Sequence, residues 1–111
     1  MKFKFVHNNF NVKDLDKSLA FYKEALGLEE VRRKVASDES FILVYLGDGQ
    51  TSHQLELTWL RDWDKDHYDL GDNEFHLAFR GEDAVAAAAA LEAAKSGSVV
   101  DQLLNTVNLG A

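Results

Sequence analysis

"DLDKSLAFYKEALGL", residues 14–28, is the stretch whose reading decides the fold of this chain. Leu15, Leu19, Tyr22 and Leu26 recur at helical spacing, with Phe21 and Leu28 beside them. Asp14 or Asp16 can cap the front and Gly27 stands where a helix stops, so the spacing predicts a helix from Leu15 to Leu26. Upstream, residues 3–12 read as a strand that carries Phe3, Phe5, His7, Asn9 and Asn11 on one face. Downstream, "EEVRRKVAS" (29–37) and "SFILVYLGDG" (40–49) read as two strands joined by a polar turn, and "SHQLELTWL" (52–60) follows the next turn as another. The order is β-α-β-β-β. After a polar loop over 61–73, "EFHLAFRG" (74–81) reads as a fifth strand and "EDAVAAAAALEAAK" (82–95) as an alanine-rich second helix, so the pattern restarts as β-α.

Size and composition limit what such a chain can do. With 111 residues it is expected to form one domain around one core. No uncharged apolar run is long enough for a transmembrane helix, and the start lacks the apolar segment and cleavage site of a secretory signal. A cytoplasmic location is the expectation. Net charge is −7 and the twelve Lys and Arg are scattered among nineteen acids, which argues against nucleic acid and anionic membranes as partners. Without cysteine, any metal must be held by His, Asp or Glu. The complete absence of proline is a mild hint of an engineered or recombined sequence.

Two residues interrupt otherwise apolar alternation. In 54–60, Leu55 and Leu57 share one face while Gln54, Glu56 and Thr58 share the other; in 75–80, Phe75, Leu77 and Phe79 oppose His76, Ala78 and Arg80. A carboxylate and an imidazole are costly to desolvate without a compensating partner. If the strands share a sheet, Glu56 and His76 can converge with His7 on its polar face, and two imidazoles with one carboxylate suit a hard divalent metal. Each histidine taken singly reads more readily as an ordinary core or surface residue, and the spacing from 7 to 56 to 76 matches no local metal signature.

"HNNFNVKDLDKSLAFYKEALGLEEVRR" (7–33), "LELTW" (55–59) and "GDNEFHLAFR" (71–80), in that order, resemble the single-domain bacterial glyoxalase I (lactoylglutathione lyase) group of the vicinal oxygen chelate superfamily. The resemblance covers about residues 1–81. It implies an α+β fold of the glyoxalase/bleomycin-resistance type: a complete βαβββ module over about 1–60, a partial second module (β-α) over about 74–95, together a domain of residues 1–95, and an atypical, non-family helical tail over 96–111. By position, His7, Glu56 and His76 match three of the family's four metal ligands. The resemblance implies Ni or Co, with Zn the alternative, and isomerisation of the methylglyoxal–glutathione hemithioacetal by a carboxylate base.

Departures from the family pattern qualify that expectation. The fourth ligand, a glutamate late in the second module, has no match, because no glutamate follows Glu92 and Asp101 is the tail's lone carboxylate side chain. With Glu56 left as both ligand and base, weak or absent lyase activity is expected. Asn11 and Leu60 stand where some bacterial relatives have an Arg and an Asn for glutathione contacts, which counts against glutathione as co-substrate. Asn9, Asn11 and Trp59 are candidate pocket residues for a small-molecule substrate. Trp63 and Tyr68 read as anchors of the polar loop, and His53 and His67 as exposed loop residues. The unfinished second module leaves strand edges that a second copy could cover, so a homodimer or higher homo-oligomer is expected, and a symmetric pair would bring together His7 and Glu56 of both chains. The competing reading is a non-catalytic module of the same scaffold that self-associates or captures a partner through its altered C-terminus.

Overall fold

A computed structural model of the chain describes residues 1–83. The elements in chain order are β1 (His7–Asn11), α1 (Leu15–Leu26), β2 (Glu29–Val35), β3 (Phe41–Gly47) and β4 (Gln54–Leu60). They form the expected βαβββ module. The sheet order is β1-β4-β3-β2, with β1 parallel to β4 and the other pairs antiparallel. A parallel β1–β4 pair needs a crossover connection, and α1 with the β2–β3 hairpin provides it.

The helix forms where its local signals place it. Asp14 adopts an extended conformation and its side chain accepts from the Lys17 amide at 3.1 Å, satisfying one of the free donors of the first turn. Gly27 ends the helix in the left-handed region, at φ 68°, where a Cβ would be strained. Leu15, Ser18, Phe21 and Tyr22 are buried against the sheet, where they meet Val44, Leu46, Leu55 and Leu57. One face of the sheet is thus the core and the other is free to carry polar groups.

The first strand is shorter than the sequence suggests. The backbone amide of Gln54 donates to the carbonyl of Val6 at 3.0 Å, and upstream of that bond β4 has already turned away. Asp48 closes that turn by accepting from the amides of Gln50 and Thr51, each at 2.8 Å. Among the described residues, residues 1–5 therefore have no strand to pair with, and Phe3 and Phe5 are exposed. The stretch 74–81 likewise forms no strand among the described residues. It is not paired with either sheet edge; Leu77 and Phe79 are instead seated against the core, which leaves Phe75 and His76 exposed. The second helix and the tail lie beyond residue 83, outside the described residues.

Tyr22 is completely buried, and its hydroxyl has no hydrogen-bond partner among the described residues. Burial pushes its pKa up, because the phenolate would be desolvated. Below about pH 10 both folded and unfolded states keep the proton. As pH rises past that value the unfolded chain releases its proton first, so stability falls with rising pH. Tyr22→Phe removes an unpaired buried hydroxyl and is expected to leave stability at neutral pH unchanged or raise it by about 1 kcal/mol. Urea melts near neutrality and at alkaline pH check both parts: the variant should lose less stability than the parent above pH ~10.

Candidate metal centre on the open sheet face

The register lines up four side chains across the polar face of the sheet. Asn9 on β1 is opposite Glu56 on β4, Glu56 is opposite Tyr45 on β3, and Tyr45 is opposite Arg32 on β2. Strict alternation carries the first three. Arg32 joins them through a bulge between Glu30 and Arg32, where two residues of β2 are set against one of β3. A bulge re-aims the side chain that follows it. Here it lays the Arg32 guanidinium over the Tyr45 ring, 4.0 Å from its centroid.

Glu56 is held on several sides. The Asn9 Nδ2 donates to Glu56 Oε1 at 2.8 Å and also to the Thr58 hydroxyl, whose own oxygen lies 3.4 Å from Oε1. Tyr45 adds a hydrogen bond to the carboxylate, and that bond, with burial and the nearby charge, raises the tyrosine's pKa, while Arg32 opposes the rise. The other oxygen, Oε2, is thereby turned toward His7, whose Nε2 lies 3.4 Å away. The His7 imidazole meets the Tyr45 ring edge-on at 5.5 Å. The Glu56 side chain is 13% exposed and that of His7 38%, so the pair opens to solvent from one direction.

These donors fit a divalent ion as far as they go. His7 Nε2 and Glu56 Oε2 are 3.4 Å apart and would offer a divalent ion one nitrogen and one oxygen donor. Asn9 and Thr58 then take the part of the outer partners that orient a ligating carboxylate. No cluster of three or more His, Asp or Glu occurs among the described residues, so His76 does not join the pair within one chain. It lies exposed in the unpaired 74–81 segment.

The candidate pocket residues divide. Asn9 contacts Glu56 directly, and Asn11 lies two positions along the same strand, opposite Thr58. Trp59 is on the other face, packed against the core and opposite Ile42, which removes it from the Glu56 side. Trp63 stacks on Tyr68 with ring centroids 4.4 Å apart, its indole N–H donates to the His67 carbonyl and its own carbonyl accepts from Lys13, so this pair anchors the loop. His67 is exposed as expected, whereas His53 is half-buried with Nε2 2.9 Å from Asn8 Oδ1. A cleft of about 590 Å³ opens beside it, on the core side of the sheet, lined by Leu26, Leu55, His53 and Phe79 among others; it does not reach His7 or Glu56.

Comparison with known proteins agrees with the fold. Residues 4–106 match the Glyoxalase/Bleomycin resistance protein/Dioxygenase superfamily, a match that continues well past residue 95. The chain belongs to that superfamily. It is 35% identical over 82 residues to a lactoylglutathione lyase of Neisseria meningitidis, covering 74% of this chain and 59% of the relative. Among solved structures, the trypanothione-dependent glyoxalase I of Leishmania major superposes with a TM-score of 0.70 at 27% identity, covering 83% of this chain and 66% of that one. Glyoxalase I from Zea mays gives 0.66 at 30% identity, covering 79% and 31%. The chain thus spans about three-fifths of the length of the Neisseria relative. Among the described residues, no helix is long and apolar enough to cross a membrane.

Proposed function

We propose that this chain is a metal-dependent lyase of the glyoxalase I type, with His7 and Glu56 as one half of the metal site and His76 of a second copy contributing to the other half. The observation that carries the reading is the His7–Glu56 pair, 3.4 Å apart on the open face, with Asn9 fixing the glutamate. Exposed edges support association: among the described residues β1 and β2 are both unpaired on their outer sides, and Phe3, Phe5 and Phe75 expose large apolar side chains that a second copy would cover. Nickel or cobalt is the proposed ion, with zinc the alternative. When bound, the ion supplies Lewis-acid polarisation of the two adjacent oxygens of an α-hydroxycarbonyl substrate.

The protein's own part is orientation and proton transfer. His7 and Oε2 of Glu56 provide one nitrogen and one oxygen donor, and Tyr45 forms the wall beside the imidazole. Glu56 is also the carboxylate placed to move a proton between adjacent carbons of the hemithioacetal of methylglyoxal and glutathione. It must serve as both ligand and base, because no other carboxylate joins it among the described residues. The activity is therefore expected to be weak. Nickel-loaded protein should isomerise hemithioacetal above the uncatalysed rate but well below an ordinary turnover, on the order of 10 per second. Turnover at ordinary rates would refute the weakening. Absence of both turnover and bound metal would leave the non-catalytic, self-associating module.

A further inference from the structure

We infer, on the reading of His7 and Glu56 as half of a metal site, that Asn9 is a positioning residue that keeps Glu56 a ligand at the expense of its action as a base. Without the Asn9 amide the chain would hold nickel less tightly and turn over faster. The two oxygens of Glu56 have unequal surroundings. Oε2 faces the imidazole, 3.4 Å from His7 Nε2. Oε1 is closed off by a triangle of side chains: the Asn9 Nδ2 donates to it at 2.8 Å and also to the Thr58 hydroxyl, and that hydroxyl lies 3.4 Å from the same oxygen. A carboxamide nitrogen carries two N–H donors, so both are committed and the amide is fixed. Register builds the triangle, since Asn9 is opposite Glu56 in the parallel β1–β4 pair and Thr58 lies two residues along β4 on the same face.

The consequence for proton transfer falls on one oxygen. In the isomerisation a proton leaves the carbon that bears sulfur and hydroxyl, its electron pair stays with the substrate, and the proton returns to the adjacent carbon that was the ketone. The carboxylate must therefore accept and release one proton at an open lone pair. With Oε2 turned toward His7 and the ion, the accepting oxygen is Oε1, and there the substrate must displace a side-chain amide instead of a water. An amide held by Thr58 and by the β1 backbone yields less readily than a solvent molecule. The same amide aims Oε2, and loss of an outer partner that orients a ligand typically costs roughly 10–100-fold in metal affinity or activity. Asn9 is at the surface while the Glu56 side chain is 13% exposed, so replacing Asn9 leaves the core intact and uncovers the carboxylate.

The test compares the full-length parent with Asn9→Leu, which keeps the approximate shape of the side chain and removes its donors, and with Asn9→Ser, which keeps one shorter donor. Nickel affinity is measured by calorimetry and hemithioacetal isomerisation at saturating nickel, with circular dichroism to confirm the fold. Asn9→Leu is expected to raise the nickel dissociation constant roughly tenfold. Its kcat at saturating nickel should rise by roughly tenfold as well, the order that one hydrogen bond to a charged group is worth. Asn9→Ser should fall between the parent and Asn9→Leu in both quantities, and it decides by the same signs if Asn9→Leu does not fold. A merely structural role would lower affinity and turnover together. A variant that binds nickel as tightly as the parent or more tightly, or that turns over no faster, including no turnover in either protein, would overturn the inference and leave the metal site standing. Parent protein that binds no nickel would sink the site itself, and the role of Asn9 with it.

Discussion

Glu56→Gln is expected to lower whatever hemithioacetal isomerisation the nickel-loaded protein shows by at least 100-fold, to the uncatalysed background, and to lower metal retention as well. Two functions meet in the one carboxylate: it faces His7 through Oε2 and is the candidate base. Loss of a general base alone typically costs 10²–10⁴ in rate. The amide is nearly isosteric and can still contact Asn9 and Thr58, so the fold should survive. Unchanged circular dichroism with the activity lost is the expected pattern. An E56Q protein that keeps its metal and its turnover would show that the chemistry lies elsewhere.

Leu57→Ala is expected to destabilise the domain by roughly 3–4 kcal/mol, the cost typical of a fully buried leucine that leaves a cavity. Leu57 has no exposed surface, sits on β4 between β1 and β3, and faces α1 through the core that contains Val44, Leu55 and Tyr22. A domain of this size has only about 5–15 kcal/mol to lose. The neighbour one position along, Thr58, is on the opposite face, so T58A should cost far less. Urea melts of the two variants check the assignment of faces. Similar losses for both would contradict it.

The parts of the fold that could be read from the chain are those whose signals are local. Asp14, the Leu15–Leu26 apolar spacing and Gly27 act within one helix, and the helix ends where they place it. The alternation of Leu55, Glu56 and Leu57 likewise survives folding, since burial of one face enforces a period of two. Pairing is not local. Phe3 and Phe5 have strand-like composition, but the turn at Asp48 removes the strand they would have needed. Residues 74–81 have the same composition and no sheet edge among the described residues.

The candidate site shows the same division. His7 and Asn9 on the first strand, and Glu56 on the fourth, are legible as polar-face residues from strand alternation alone. Trp59 shares the core face with Leu57, as strand alternation requires, so nearness to Glu56 in sequence does not bring it to the same side. The place of Arg32 is not legible in the sequence for a different reason. Simple alternation assigns it to the side of Glu30, and only the bulge brings it beside Tyr45. Tyr45 itself was hidden in an apolar run whose partner strand the sequence does not specify, though a phenol among aliphatic residues was the available signal.

The most direct measurement of the account is nickel bound per chain after equilibrium dialysis, for the parent protein and for His7→Ala. A conserved stoichiometry in the parent that falls to background in the variant, with the fold intact, is the expected result. Parent protein that emerges free of metal, or a His7→Ala variant that holds as much nickel as the parent, would contradict it.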